Sequence, residues 1–370
     1  MKIGLVGGGT GGHFYPLMAV AAQLNQSPEK PQLYYFGPSP YNKDELTTHN
    51  INYIYCPAGK LRLYASLQNF VDMFRNFFGV FVALWKLFII YPDVVFSKGG
   101  YTSVPILLAA RLLRIPIVIH ESDSVPGRAN KLATSAARYI AISYDDVAQF
   151  FPAEKTALTG IPLRPAVLTP PADPFATLGI PNDKPLIYVT GGSLGALKIN
   201  DLILRSLTNL LPHYRIFHQT GPAKIEDMRL AAQALLKDTQ LEDSYYLHGN
   251  LEANVVAALL SASTLVITRA GSTTLCEVAA YQKPAIVIPL SADVSRDQRS
   301  NAYAYARGGG ATVLEEENLT EHLLAQEIFS IVGNPAKAAG MGQAAARFYQ
   351  PDAAQKLAAI LISIGIEHGS

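Results

Sequence analysis

Several short stretches of this 370-residue chain carry side chains fit for chemistry, and each directly follows an apolar run. The first is GGGTGGH, Gly7 to His13, behind the strand-like Lys2–Gly7. Glycines there let a backbone come close to a ligand. His13 stands beside them at the start of a helical stretch, Phe14–Gln26. An exposed imidazole in that place titrates near neutrality and can take a proton from a substrate hydroxyl. A lone histidine that only caps or packs is the commoner case. Gly7, Gly9 and Gly12 also parse as G-x-G-x-x-G, but the acid that a dinucleotide fold places about 20 positions on is missing. The next strand, Gln32–Phe36, runs into Gly37–Pro38 instead.

Asp93–Phe96 reads as a further strand and leads into Ser97–Lys98–Gly99–Gly100–Tyr101, then the helix Ser103–Leu113. Ile115–Ile119 leads into HESDSVPGRANK, His120 to Lys131. Three polar loops therefore follow strands in the first half, where open α/β sheets bind ligands. The two glycine turns with Lys98 are suited to the phosphates of an acceptor. In the second half, Pro185–Thr190 ends in GGSLGA, Gly191 to Ala196, with Asn200 on the helix behind. Ser193 has a hydroxyl and a backbone N–H to offer a phosphate. Leu265–Ile267 turns at Arg269–Ala270–Gly271–Ser272 into a helix through Ala280, and a strand follows at Pro284–Pro289. A helix beginning at Ser272–Thr274 presents unpaired N–H groups, a site for phosphate. Arg269 adds charge, and Glu277 lies one turn in, placed to accept from a ribose diol. Thr274 and Glu277 equally have the spacing of a capping box. SRDQRSNA, Ser295 to Ala302, puts Asp297, Gln298 and Asn301 at another helix start, where they can read sugar hydroxyls or simply be solvated.

Elements must alternate to bring these loops together. Apolar strand, polar turn, helix and apolar strand recur through both halves, the pattern of parallel sheets covered on both faces. Gly160–Ile161–Pro162–Leu163–Arg164–Pro165 and the Pro-rich Thr169–Phe175 interrupt it and mark a hinge. The expected fold is α/β, with two Rossmann-like doubly wound domains facing a shared cleft. The expected division is 1–163, 164–347 and a C-terminal helix within 348–370 that packs back on the first domain. With 370 residues the chain exceeds the size at which single cores stop growing.

Composition narrows the class. The chain is 49% apolar and 16% charged, as suits a packed enzyme. Thirty basic against 29 acidic residues give no pull toward nucleic acid. Cys56 and Cys276 are far apart in apolar stretches, which suits a reducing compartment and neither a disulfide nor a zinc site. The amino terminus enters a strand directly, unlike a signal peptide. Leu61–Tyr91 stands out: Phe70, Phe74, Phe77, Phe78, Phe81, Leu84, Trp85 and Phe88 follow helical spacing, with Arg62, Arg75 and Lys86 interspersed. Its continuous apolar part, Phe77–Ile90, is fourteen residues, short of the ~20 needed to span a bilayer. It is expected to be part core and part membrane-interface helix.

Together these motifs resemble the MurG-type glycosyltransferases, peripheral-membrane N-acetylglucosaminyltransferases that convert lipid I to lipid II. The resemblance runs nearly the whole length. It rests on GGTGGH (Gly8–His13), Gly99–Tyr101, HE…GxxNK (His120–Lys131), G-x-P-x-R (Gly160–Arg164), GGS-x-GA…N (Gly191–Asn200), RAG…T…E (Arg269–Glu277) and DQ…NA (Asp297–Ala302), seven motifs in order. It implies a GT-B fold and inverting transfer of N-acetylglucosamine from UDP-GlcNAc to the C4 hydroxyl of the MurNAc residue of lipid I. His13 would be the base, and Glu121 would join it as a catalytic residue. Donor contacts would come from Thr10, Gly11, Gly12, Arg164, Ser193, Leu251 (against uracil), Arg269, Ser272, Thr273, Glu277 and Gln298. Acceptor contacts would come from Gly9, Lys98, Gly99, Gly100, Tyr101, His120, Asp123 and Asn130. The Phe-rich helix would dock at the cytoplasmic face of the bacterial cell membrane. No cofactor or metal is implied, and the chain holds no D-x-D pair to clamp a metal on a diphosphate. The chain departs from the family at Ser122–Asp123, where HEQN is common, at Asp297, where a Gln pair is better known, and at Leu194 in place of Gln. Two other readings share the glycine loops: a diacylglycerol-type glycosyltransferase, which need not have the HE…GxxNK loop, and a UDP-GlcNAc epimerase, which needs no membrane-facing aromatics.

Overall fold

The computed structural model describes residues 1–60, 67–192, 195–291 and 296–369. The chain forms two compact units, Met1–Arg164 with Gln350–Ser370, and Pro165–Tyr349.

The first unit runs β1 (Lys2–Val6), α1 (Gly11–Gln26), β2 (Gln32–Gly37), α2 (Lys43–Thr48), β3 (Ile51–Tyr55), α3 (Leu67–Ile90), β4 (Val94–Ser97), α4 (Val104–Leu112), β5 (Ile117–Glu121), α5 (Arg128–Ala133), β6 (Ala137–Ile142) and β7 (Thr156–Leu158). Its described strands form a parallel seven-stranded sheet in the order β3-β2-β1-β4-β5-β6-β7. Strand β1 is flanked by β2 and β4, with Val6 level with both Phe36 and Ser97. The order reverses there, so the loops after Val6 and Ser97 leave the same edge side by side, where such sheets leave room for a ligand. The strands are buried on both faces: Ile3, Leu5, Val95, Phe96, Ile117 and Ile119 are fully enclosed.

The second unit runs α6 (Pro165–Leu168), α7 (Pro174–Leu178), β8 (Leu186–Thr190), α8 (Leu197–Leu210), β9 (Arg215–Gln219), α9 (Ile225–Leu236), β10 (Tyr245–His248), α10 (Ala253–Ala262), β11 (Leu265–Thr268), α11 (Ser272–Ala280), β12 (Ala285–Val287), α12 (Arg296–Arg307), β13 (Ala311–Val313), α13 (Glu321–Val332) and α14 (Pro335–Ala346). Its parallel sheet has the order β10-β9-β8-β11-β12-β13, reversing between β8 and β11. The last helix, α15 (Ala353–Gly369), belongs to the first unit. Leu357, Leu361 and Ile364 join Ile3, Leu5, Phe14 and Phe96 in one core.

Two expectations need correction. The strand before the His120 loop begins and ends two residues later than its apolar run suggests, at Ile117–Glu121, so His120 and Glu121 are strand residues. Ladder bonding to β6 continues through both of them, which hydropathy alone does not report. The aromatic helix is also longer than its apolar stretch. It covers 24 residues, has a mean hydropathy of 1.6 over its most apolar window, and by length and composition is able to cross a membrane. Asp72, Asn76 and Arg75 are carried inside it because they have work within the unit. Asn76 accepts from Gly59 N–H at 2.9 Å and donates to Gly59 C=O at 3.0 Å, and Asp72 pairs with Arg75. One face of α3 lies on α4: Gly79, Ala83 and Leu87 are buried, and a side chain at Gly79 would meet Pro105 and the Pro57 carbonyl. The core part of the helix is made by Gly79, Ala83 and Leu87 and not by the aromatics. Phe70, Phe74, Phe77, Phe78, Phe81, Trp85 and Phe88 are all exposed. Arg62 lies outside the described residues.

Because α15 closes the apolar face of β1 and β4, Leu361→Ala should lower the unfolding free energy by about 2–5 kcal/mol. Urea denaturation followed by far-UV circular dichroism measures this, and an unchanged midpoint would make α15 a peripheral addition.

Candidate active site

In the first unit, one edge gathers the loops after β1, β4 and β5. Thr10 is the N-cap of α1, but its hydroxyl is not spent on the cap. Thr10 Oγ1 lies 2.7 Å from His13 Nδ1 instead. His13, three residues into α1, is half-buried at its surface and closely surrounded by protein. Its pKa is not near neutrality. Burial, then the Lys98 ammonium, push it down to about 4, and Asp123 pulls partly the other way. The imidazole is therefore neutral at physiological pH. If Nδ1–H donates to Thr10, Nε2 keeps a lone pair.

Lys98 is 2% exposed at the end of β4, its N–H donating to Val6 C=O at 2.8 Å. Gly99 and Gly100 follow with φ of 85° and 81°. The second favours glycine because a φ of 81° strains any other residue, and its backbone lies against the His13 ring and the Gly8 carbonyl. Tyr101 is half-buried, its ring edge 3.0 Å from where a Gly9 side chain would begin.

His120 and Asn130 are placed differently from the acceptor contacts expected of them. His120 is fully buried, with Nε2 2.8 Å from Gly160 C=O and 3.3 Å from Ser143 Oγ. Burial and Lys98 hold its pKa well below the usual value, so it is a neutral brace between β5 and the loop after β7. Asn130 donates to His120 C=O at 3.2 Å and to Glu121 Oε2 at 2.9 Å. Glu121 is 3% exposed and also accepts from Asp123 N–H at 3.1 Å and Gly127 N–H at 2.8 Å. Burial, then the Asp123 charge, raise its pKa to about 7. Its carboxyl is committed to folding the 121–130 loop, so it positions that loop rather than reaching a substrate. Asp123 is left half-buried and within electrostatic reach of His13. The structure thus brings His13, Thr10, Lys98, Gly99, Gly100 and Asp123 together, with Gly11 and Gly12 opening α1 beside them.

Arg164 ends the Met1–Arg164 segment of this unit, with its guanidinium carbon 3.8 Å from the Tyr15 ring centre. Beneath the glycine loop lies an aromatic group that the motifs do not announce. Tyr35 donates to Gly7 C=O at 3.0 Å, and Phe14 meets Tyr35 edge-on at 5.6 Å. Alternation within Gln32–Phe36 was the available signal, since Tyr35 shares the inward face with Leu33.

In the second unit, α11 begins at Ser272 with Gly271 as N-cap and no side-chain cap. Thr274 and Glu277 are therefore not a capping box, and Glu277 is half-buried one turn in. Ser272 Oγ accepts from Asn301 Nδ2 at 3.0 Å, joining the start of α11 to the middle of α12. Thr273, Leu251 and Gln298 are half-buried. Arg269 is not an open phosphate ligand. It is 7% exposed, and its Nη1 donates to Ile288 and Pro289 carbonyls at 3.0 and 3.1 Å while Nη2 meets Glu316 at 2.5 Å. Glu316 also pairs with Lys198 at 3.0 Å, a link across 118 positions with no signature in sequence. Ser193, Leu194 and Ser295 lie outside the described residues. Beside them Gly195 has φ 76°, and a side chain there would strike the Thr220 carbonyl. Asn200 is structural: it donates to Thr220 C=O at 3.0 Å and faces His218 Nε2 at 3.1 Å. Cys56 and Cys276 are buried, and neither is in a disulfide.

The glycosyltransferase family 28 N-terminal domain model matches residues 3–142 and the C-terminal domain model residues 186–357. A protein of Lachnospira eligens, named UDP-N-acetylglucosamine--N-acetylmuramyl-(pentapeptide) pyrophosphoryl-undecaprenol N-acetylglucosamine transferase, is 37% identical over 328 residues, covering 87% of this chain and 88% of its own. One of the same name from Treponema denticola is 36% identical, covering 85% and 83%. Among solved structures, MurG of Acinetobacter baumannii superposes with a TM-score of 0.74 at 25% identity, covering 98% of this chain and 99% of its own. A UDP-GlcNAc 2-epimerase from Neisseria meningitidis has a TM-score of 0.69 at 16% identity over 98% and 100%, a likeness of fold alone. The two units have the GT-B architecture of the MurG structure. The chain therefore belongs to the MurG-type N-acetylglucosaminyltransferases of glycosyltransferase family 28.

Proposed function

We propose that this chain moves N-acetylglucosamine from UDP-GlcNAc to the C4 hydroxyl of the MurNAc residue of lipid I, with inversion, giving lipid II. The observation that carries the reading is the edge of the first unit. There a neutral His13, held by Thr10, stands beside a buried Lys98 and two glycine turns. In one displacement the C4 oxygen bonds to the anomeric carbon as the bond to UDP breaks. The hydroxyl proton passes to His13 Nε2, and the electron pair leaves on the diphosphate. A base with a pKa of about 4 in the free protein gains basicity once anionic substrates surround it. Asp123 supports the same shift. Lys98 and the Gly99–Gly100 turn are suited to the acceptor's diphosphate.

The donor reading rests on the second unit. Ser272 and Thr273 open α11, a nine-residue helix whose first N–H groups suit the donor's diphosphate. Glu277 would accept from the ribose diol, Leu251 would flank the uracil and Gln298 would contact the sugar hydroxyls. Without a D-x-D pair, the diphosphate would be stabilised by backbone N–H groups and Arg164 rather than a metal ion.

We read the chain as peripheral at the cytoplasmic membrane face. The α3 aromatics are exposed, yet its other face is buried on α4 and on the Gly59 loop. A helix so tied into a folded unit suits lying in the interface rather than crossing it.

The deciding experiment is UDP release from UDP-GlcNAc with a lipid I analogue, with EDTA present and diacylglycerol as control acceptor. Release with lipid I alone supports the reading. Release with diacylglycerol points to a glycolipid transferase, and a new UDP-hexosamine without release points to an epimerase. His13→Ala should cut kcat by about 10²–10⁴-fold with UDP affinity unchanged. The acid limb of kcat/KM in the wild type should fall below about pH 5, because the free-enzyme imidazole protonates near 4. A limb at pH 6.5 would place the base elsewhere. Calorimetry on Glu277→Ala should show UDP-GlcNAc binding weaker by about 10- to 100-fold, the value of a charged acceptor to a diol. Equal affinity would remove Glu277 from the donor site. Phe78→Ser with Trp85→Ser should reduce co-sedimentation with anionic liposomes while leaving the circular dichroism spectrum intact, since both side chains are exposed. Undiminished binding would rule out α3 as the docking element.

A further inference from the structure

Arg164 ends the first of the two segments of the first unit, Met1–Arg164, and its side chain is only 20% exposed. Its guanidinium carbon lies over the Tyr15 ring, 3.8 Å from the centroid. Nη1 is 3.7 Å from Glu45 Oε1, and Glu45 is itself 3.6 Å from His49 Nε2. The Tyr15 ring is fixed on its other sides. Tyr41 meets it edge-on at 6.1 Å and Phe14 at 5.5 Å. A side chain at Gly11 would stand 3.2 Å from Tyr15 Cδ2 and Cε2 and from the Tyr41 hydroxyl. The ring therefore touches the glycine loop on one side and carries the arginine on another.

We propose that Tyr15 is a positioning residue for donor binding: its ring is the platform that orients the Arg164 guanidinium toward the diphosphate of the nucleotide sugar. This rests on the reading of Arg164 as a donor contact. A long side chain at the end of a unit is mobile in water, and ordering it costs rotamer entropy when the anion arrives. Stacking on a fixed ring removes much of that cost beforehand. A guanidinium seated on a ring face uses its π-surface there and can still offer N–H donors at its edge to a phosphate. The Glu45 contact at Nη1 holds the guanidinium from a second side. The same ring contact links the arginine to Gly11, so the glycine loop and the cation take up their positions together.

Steady-state kinetics with UDP-GlcNAc varied at saturating acceptor tests this, with UDP affinity by calorimetry on each folded variant. Tyr15→Leu should raise the donor KM about three- to tenfold, within the range of a partly buried cation–π contact, with kcat within about twofold. Tyr15→Phe keeps the ring face and should behave as wild type. In an Arg164→Ala background, Tyr15→Leu should add nothing, because the group it orients is gone. Where the leucine variant does not fold, Tyr15→Gln replaces it with the same expectations. An unchanged KM for Tyr15→Leu beside a raised KM for Arg164→Ala overturns the platform while leaving Arg164 as a donor contact. A Tyr15→Leu effect that persists without Arg164 overturns it too, making the ring merely structural. No change on Arg164→Ala removes the underlying reading of Arg164, and the platform with it.

Discussion

A buried ammonium governs the chemistry of the first unit. Lys98 sits at the end of β4, where the strand order reverses, almost without solvent. Its charge is felt by His13 on the loop after β1 and by His120 on β5, and in both it reinforces what burial already does, which is to keep the imidazole neutral. The two neutral histidines then serve different ends. His120 has both its place and its Nε2 hydrogen bond inside the protein. His13 keeps one nitrogen on Thr10 and the other toward the glycine turn. The Asp123 charge opposes this at His13, and the Glu121 carboxyl is held by Asn130 and by the Asp123 and Gly127 N–H groups.

The loops beyond the strand ends are held by polar groups that are engaged inside the protein. Glu121, Asn130 and Gly127 form one knot, and Arg269, Glu316 and two carbonyls of the 288–289 segment form another. In each, a charged residue that motif reading puts at the substrate is turned inward. A buried charge without partners is costly, so an acid or a guanidinium in such a place is committed to internal donors or acceptors first. What remains for a ligand is backbone N–H at helix starts, the glycine turns and the few side chains left half-exposed.

The aromatic helix follows a similar division of labour. Small residues, Gly79 and Ala83, face α4 and allow close approach, while the large rings point outward. An inward set of phenylalanines would have pushed α3 off Pro105. The helix is anchored through Asn76 and the Gly59 backbone rather than through its bulk.

Sequence alone determined the class of fold, the order of elements and which loops carry chemistry. Alternating apolar runs and glycine-rich turns at strand ends have one economical solution, parallel sheets with loops on the carboxyl edge, and His13, Lys98 and the glycines at 99 and 100 lie on that edge as read. Sequence did not settle which polar residue of each motif faces inward. His120 and Asn130 look like ligands in a string of letters because their partners, Gly160 and Glu121, are 40 and 9 positions away. Nor did it settle the protonation of His13, which depends on the desolvation and the Lys98 charge that folding brings to it from 85 residues along the chain. Nor did it show the seat of Arg164 on Tyr15, 149 residues earlier in the chain. Composition and period fix where the backbone goes. Long-range packing decides which charges lose water, and that sets which side chains remain for a substrate.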